Sequence, residues 1–133
     1  MPTVVLGYVP KPEGEAALAA SISEAQLRKA DLVVVNSHRA RHNDAAAVAA
    51  IDTELDEVRA RVEDAGVTVD IRHPETGFEA SEDLLAIADE VAAELIVIGL
   101  RRRTPVGKLI LGSNAQRILL DAHCAVLAVK ASD

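Results

Sequence analysis

Gly99 and the pair Gly112-Ser113 bracket a loop that carries Arg101, Arg102 and Arg103 in an otherwise acidic chain. The residues before it, Ile96-Val97-Ile98, read as a buried strand, and Ser113 opens a helix-forming stretch. A helix start presents unpaired N–H groups and a partial positive charge, so a phosphate can sit there. Gly112 would let the backbone approach such an anion closely. The arginines could add charge-assisted hydrogen bonds. A second reading needs no ligand: Ser113 with Gln116 forms a capping box, Gly99 ends a strand, and the arginines are solvated. Residue chemistry alone leaves the two readings level.

Two familiar phosphate loops are excluded. Gly107-Lys108 is followed by Leu109 where a P-loop needs Ser or Thr, and Arg102 stands where its first glycine belongs. No G-x-G-x-x-G follows the first strand. His123 and Cys124 are adjacent, but neighbours in a strand point to opposite faces, so they form no nucleophile–base pair. Cys124 reads as a buried, inert thiol. His38, Arg39, Arg41 and His42 crowd one loop, where they read as solvated polar residues. Glu54, Asp56, Glu57, Glu63 and Asp64 read as the wet face of a helix. No metal-ligand spacing, nucleophile elbow or triad is present.

These residues need a frame to position them. The chain has 133 residues, the size of one domain, which is the organisation expected over 1–133. Half of it is hydrophobic, yet Tyr8 and Phe78 are the only aromatics, so the core must be aliphatic. That argues against a stacking platform for single-stranded nucleic acid. A net charge of −7 repels DNA and anionic membranes, which counts against both as partners. One cysteine, no signal-peptide pattern and no apolar run near the ~20 residues that span a bilayer give the expectation of a cytoplasmic protein.

Five β-rich runs recur at even intervals: Thr3–Val9, Asp31–Asn36, Val67–His73, Glu94–Gly99 and Ala125–Lys130. Most are continuous Val, Ile and Leu, the pattern of strands buried on both faces. The third alternates, which places it at an edge. Between them lie helical stretches at Glu13–Lys29, Asp44–Ala65, Ser81–Ala93 and Ser113–Ala122. The second sets Val48, Ile51, Leu55, Val58 and Val62 on one stripe, with Asp44 as cap and Gly66 as stop. The third repeats the pattern with Leu84, Leu85, Ile87, Ala88 and Val91. Alternating strand and helix predict an α/β, doubly wound parallel sheet. Its ligand end lies at the strand carboxyl ends, where strand order reverses.

The loop, with its flanks, resembles the universal stress protein family. The family pattern is Gly, two residues, Gly, nine residues, then Gly-Ser or Gly-Thr; Gly99 and Gly112-Ser113 stand at its outer positions. Leu95-Ile96-Val97-Ile98-Gly99, Leu109-Ile110-Leu111-Gly112-Ser113 and Ala122–Val129 match as well. The resemblance implies a five-stranded sheet of order 3-2-1-4-5 with four helices, in three α/β/α layers. It also implies a homodimer joined through 125–130. Many members bind ATP or another adenine nucleotide between strands one and four; others bind none and act as stress-response partners. The resemblance places Val9, Pro10, Val35, Asn36, Ile98, Gly99, Arg102, Gly112, Ser113 and Asn114 around that cleft.

The chain departs from the pattern twice. Arg102 replaces the middle glycine. Val9 stands where nucleotide-binding members usually carry an aspartate. Losing that hydrogen bond costs about 1–3 kcal/mol, or roughly ten- to a hundred-fold in affinity. The expectation is therefore a stress-response regulator that binds an adenine nucleotide weakly and acts through a protein partner. The alternative is a ligand-free interaction protein with a purely structural loop. Catalysis has no support beyond slow ATP hydrolysis by analogy.

Overall fold

A computed structural model describes residues 2–36, 45–74, 79–100 and 112–131. Nine elements alternate along them: β1 (Thr3–Tyr8), α1 (Pro12–Arg28), β2 (Asp31–Asn36), α2 (Ala45–Asp64), β3 (Val69–Arg72), α3 (Ala80–Glu90), β4 (Leu95–Leu100), α4 (Ser113–Asp121) and β5 (Ala125–Lys130). The strands form one parallel sheet of order β3-β2-β1-β4-β5, with helices on both faces. The doubly wound architecture expected from the alternation is therefore the one observed. β3, whose residues alternate, does lie at an edge.

Period-2 alternation divides each central strand between two cores. Val4, Leu6 and Tyr8 of β1, with Leu95 and Val97 of β4, pack under Leu18 of α1 and Leu55, Val58 and Val62 of α2. Val5, Val33, Ile96 and Ile98 face the other way, against Leu84, Ile87 and Ala88 of α3 and Ile118 of α4. Because both faces are covered, β1, β2 and β4 need apolar residues at nearly every position. That is why they read as continuous runs.

Element ends differ from expectation where backbone geometry decides. α2 runs into Gly66, whose φ of +80° is the left-handed conformation that glycine adopts freely. The Asp44 cap lies outside the described residues, as does the side chain of Val48. β4 does not stop at Gly99 but continues to Leu100, so Gly99 is a strand residue. Gly112, at φ −68° and ψ 165°, is the N-cap of α4, and Ser113 is its first helical residue. The expected Ser113–Gln116 capping box is therefore not formed, because its serine sits one position too far along. Gly112 instead accepts the first bond of the helix, from the Gln116 N–H at 3.0 Å.

One polar network ties α1 and α2 to the end of β1. Tyr8, 2% exposed, has its hydroxyl 2.8 Å from Glu54 Oε1 and 3.1 Å from Glu15 Oε1. Burial, with the adjacent carboxylates, holds its phenol well above the usual range, so it remains a donor. Arg61 covers the other oxygen of Glu15 at 2.6 Å. Glu54 therefore does not belong to the wet face of α2. Asp56, Glu57, Glu63 and Asp64 are exposed, as expected.

Candidate functional site

Strand pairing opens the sheet at one point. β1 stays paired with β2 through Tyr8 and Asn36, and β4 with β5 through Leu100 and Lys130. Between β1 and β4, however, pairing ends at Leu6 and Val97. Beyond that level the two strands separate, at the carboxyl end and at the position where strand order reverses. This is the place such folds use for ligands.

Two glycines shape the opening by letting α1 come close. A Cβ at Gly99 would strike the Glu13 carbonyl oxygen and lie 2.6 Å from its carbonyl carbon. A Cβ at Gly14 would strike the Val9 carbonyl oxygen and lie 2.8 Å from the Val9 carbonyl carbon. The first turn of α1 thus rests directly on the backbone of Gly99 and of the loop after β1. The requirement at Gly99 is steric room for a helix, not positive φ.

On the other face a cleft of about 190 Å³ lies between α3 and α4. Gly7 and Ile98 form its floor where the strands part, and Val9 and Gly99 border it. Leu84 and Ile118 supply apolar walls, and Ser81 and Asn114 its hydrogen-bonding side chains. The Ser81 N–H donates to Asn114 Oδ1 at 3.3 Å, which joins the first turns of the two helices. The first intrahelical bond of α4 comes from Gln116, so helix geometry leaves the N–H groups of Ser113, Asn114 and Ala115 without partners inside it. The cleft is smaller than the ~300–1,000 Å³ of usual small-molecule pockets.

The ten residues expected around a cleft are distributed unevenly. Val9, Ile98, Gly99 and Asn114 line it together. Gly112 and Ser113 open α4 beside Asn114. Val35, 1% exposed, belongs to the core on the α3–α4 side, paired in the sheet with Gly7. Asn36 ends β2 opposite Tyr8, and Pro10 lies in the bend after β1; neither lines the cleft. Arg102 lies outside the described residues, as do Arg101, Arg103, Gly107, His38, Arg39, Arg41 and His42. Sequence reasoning did not single out Gly7, Ala80, Ser81, Ala115 or Ile118. One signal was available: Ser81 lies three and seven residues before Leu84 and Ala88, a hydroxyl in register with a buried stripe.

Two roomier grooves, of about 340 and 410 Å³, share Gly66, Val67 and Thr68 at the amino ends of the strands. They lie at the opposite end of the sheet from the strand separation. Cys124 and His123 are also at that end. His123 Nδ1 lies 3.0 Å from Asp89 Oδ1 in an exposed pair. Burial, and then the Asp89 charge, push the Cys124 thiol up, away from the reactive thiolate. Among the described residues, no group of three or more His, Cys, Asp or Glu could hold a metal. No described helix is long and apolar enough to cross a membrane.

Comparison with known proteins adds a lineage to this geometry. The family model described as "Universal stress protein family" matches residues 1–130. A universal stress protein of Mycolicibacterium smegmatis is 46% identical over 129 residues, covering 96% of each chain. A universal stress protein structure from Archaeoglobus fulgidus superimposes with a TM-score of 0.81 at 31% identity, over 98% of both chains. Another structure from that organism, described as a complex with dAMP, gives 0.75 at 26% identity over the same coverage.

Proposed function

Because the chain belongs to the universal stress protein family, we propose that it binds an adenine nucleotide where β1 and β4 part and regulates a stress response through that binding. The observation that carries this reading is the separation beyond Leu6 and Val97, with the start of α4 facing it. Gly112, Ser113 and Asn114 would receive the phosphates, through unpaired N–H groups and the positive end of the α4 dipole. Val9, Ile98 and Gly99 would border the nucleoside. The dAMP complex of the 26%-identical relative supports the choice of an adenine nucleotide.

Val9 offers no carboxylate to a ribose, so affinity is expected to lie below that of relatives with an aspartate there, by roughly ten- to a hundred-fold. The signal would pass to a protein partner from a homodimer paired through β5. That strand supports the pairing: its far edge is free of a described neighbouring strand, and Val126 to Val129 are half-buried. The test is mass spectrometry of small molecules released from freshly purified protein, with calorimetric titrations of AMP, ADP and ATP. Nucleotide in the preparation, or micromolar-to-millimolar binding, is the expected result. Neither would leave the alternative, a ligand-free interaction protein.

A further inference from the structure

Ser81 carries a polar atom that the fold does not use. The residue is wholly buried, it lines the cleft between α3 and α4, and its hydroxyl oxygen has no hydrogen-bond partner. Ser21, inside α1, donates its hydroxyl to the Leu18 carbonyl at 2.8 Å. Ser81 is the second residue of α3, so no carbonyl of its own helix lies three or four residues back to accept its proton. An unpaired buried hydroxyl is costly, and a ligand atom offering a lone pair would relieve it.

The rest of the cleft narrows what that ligand atom belongs to. None of the described residues lining it is charged. A phosphate pushed in among these apolar residues would lose its water with no described cationic side chain beside it, which is unfavourable. Gly7, Val9, Leu84, Ile98 and Ile118 offer an apolar slot, and among the described residues Ser81 and Asn114 offer polar side chains. The bond from the Ser81 N–H fixes the Asn114 amide: its oxygen faces Ser81, so its NH₂ group is left to donate elsewhere. An apolar slot with two donors suits a flat, neutral ring that accepts hydrogen bonds at its edge.

We propose that this cleft takes the heteroaromatic base of the ligand, and that Ser81 fixes it by donating its hydroxyl proton to a ring nitrogen. The proposal rests on the nucleotide reading above and adds which moiety enters and which residue selects it. The phosphates then stay outside, at Gly112 and Ser113.

The test is calorimetric titration of wild type and Ser81→Ala with adenosine, AMP, ribose 5-phosphate and inorganic phosphate. Ser81→Ala removes an unpaired hydroxyl, so its unfolding temperature should be no lower than that of wild type. It should weaken adenosine and AMP alike, by about ten-fold or more, and leave ribose 5-phosphate and phosphate unchanged. Within wild type alone, adenosine should bind more tightly than ribose 5-phosphate. Equal adenosine affinity in the two proteins, or ribose 5-phosphate binding as tightly as AMP, overturns the proposal. Wild type binding neither AMP nor adenosine overturns the nucleotide reading itself.

Discussion

Gly99→Ala is expected to destabilise the protein by roughly 3 kcal/mol, at the upper end of overpacking costs. The added methyl would strike the Glu13 carbonyl oxygen, and would lie 2.6 Å from the carbonyl carbon and 3.0 Å from Cβ of that residue. These are backbone atoms and a Cβ, so no side-chain rotation can relieve the clash. The first turn of α1 must lift, and it carries with it Glu15, which receives Tyr8 and Arg61. Gly14→Ala tests the same contact from the helix side. A helical glycine changed to alanine ordinarily gains up to about 1 kcal/mol; here the sign should reverse, because the methyl meets the Val9 carbonyl. Urea unfolding midpoints decide the matter. If both variants stay within about 0.5 kcal/mol of wild type, the close approach of α1 to Gly99 and Val9 is wrong.

Leu84→Ala is the second large effect, a loss of about 2–5 kcal/mol. Leu84 is 1% exposed and belongs to the core under α3. Its Cδ2 lies 3.3 Å from where a Cβ on Gly7 would stand, so it fills the space that this glycine leaves. Removing it opens a void that joins the cleft. The unfolding midpoint should fall, and ligand affinity should fall with it, since the apolar wall opposite Ile98 is gone. Unchanged stability would mean that α3 does not pack here as described.

The fold was legible because covered strands must be apolar throughout. β2 and β5 fall at the expected residues, and alternation over 67–72 indicates the edge position that β3 takes, although the strand itself is shorter, Val69–Arg72. The site was legible only in part, because its decisive contacts join residues far apart in sequence. Gly99 looked like the end of a strand, yet its lack of a side chain serves α1, which no local pattern around Gly99 reveals. Glu54 stood among charges that suggested solvent, and only the proximity of Tyr8 draws it inward. Ser113 looked like a cap because serine favours that role; Gly112 takes the position instead. Ser81 shared a stripe with Leu84 and Ala88, but its unpaired hydroxyl becomes visible only once α3 and α4 meet.

The central claim is that an adenine nucleotide binds where β1 and β4 separate. Backbone amide NMR during a titration with AMP tests it most directly. The expected shifts cluster at Gly7, Val9, Ser81, Gly99 and Gly112–Ala115, saturate together, and leave Gly66–Thr68 and His123–Cys124 at the opposite end unmoved. No saturable shift at millimolar AMP, or shifts centred on Gly66–Thr68, would contradict it.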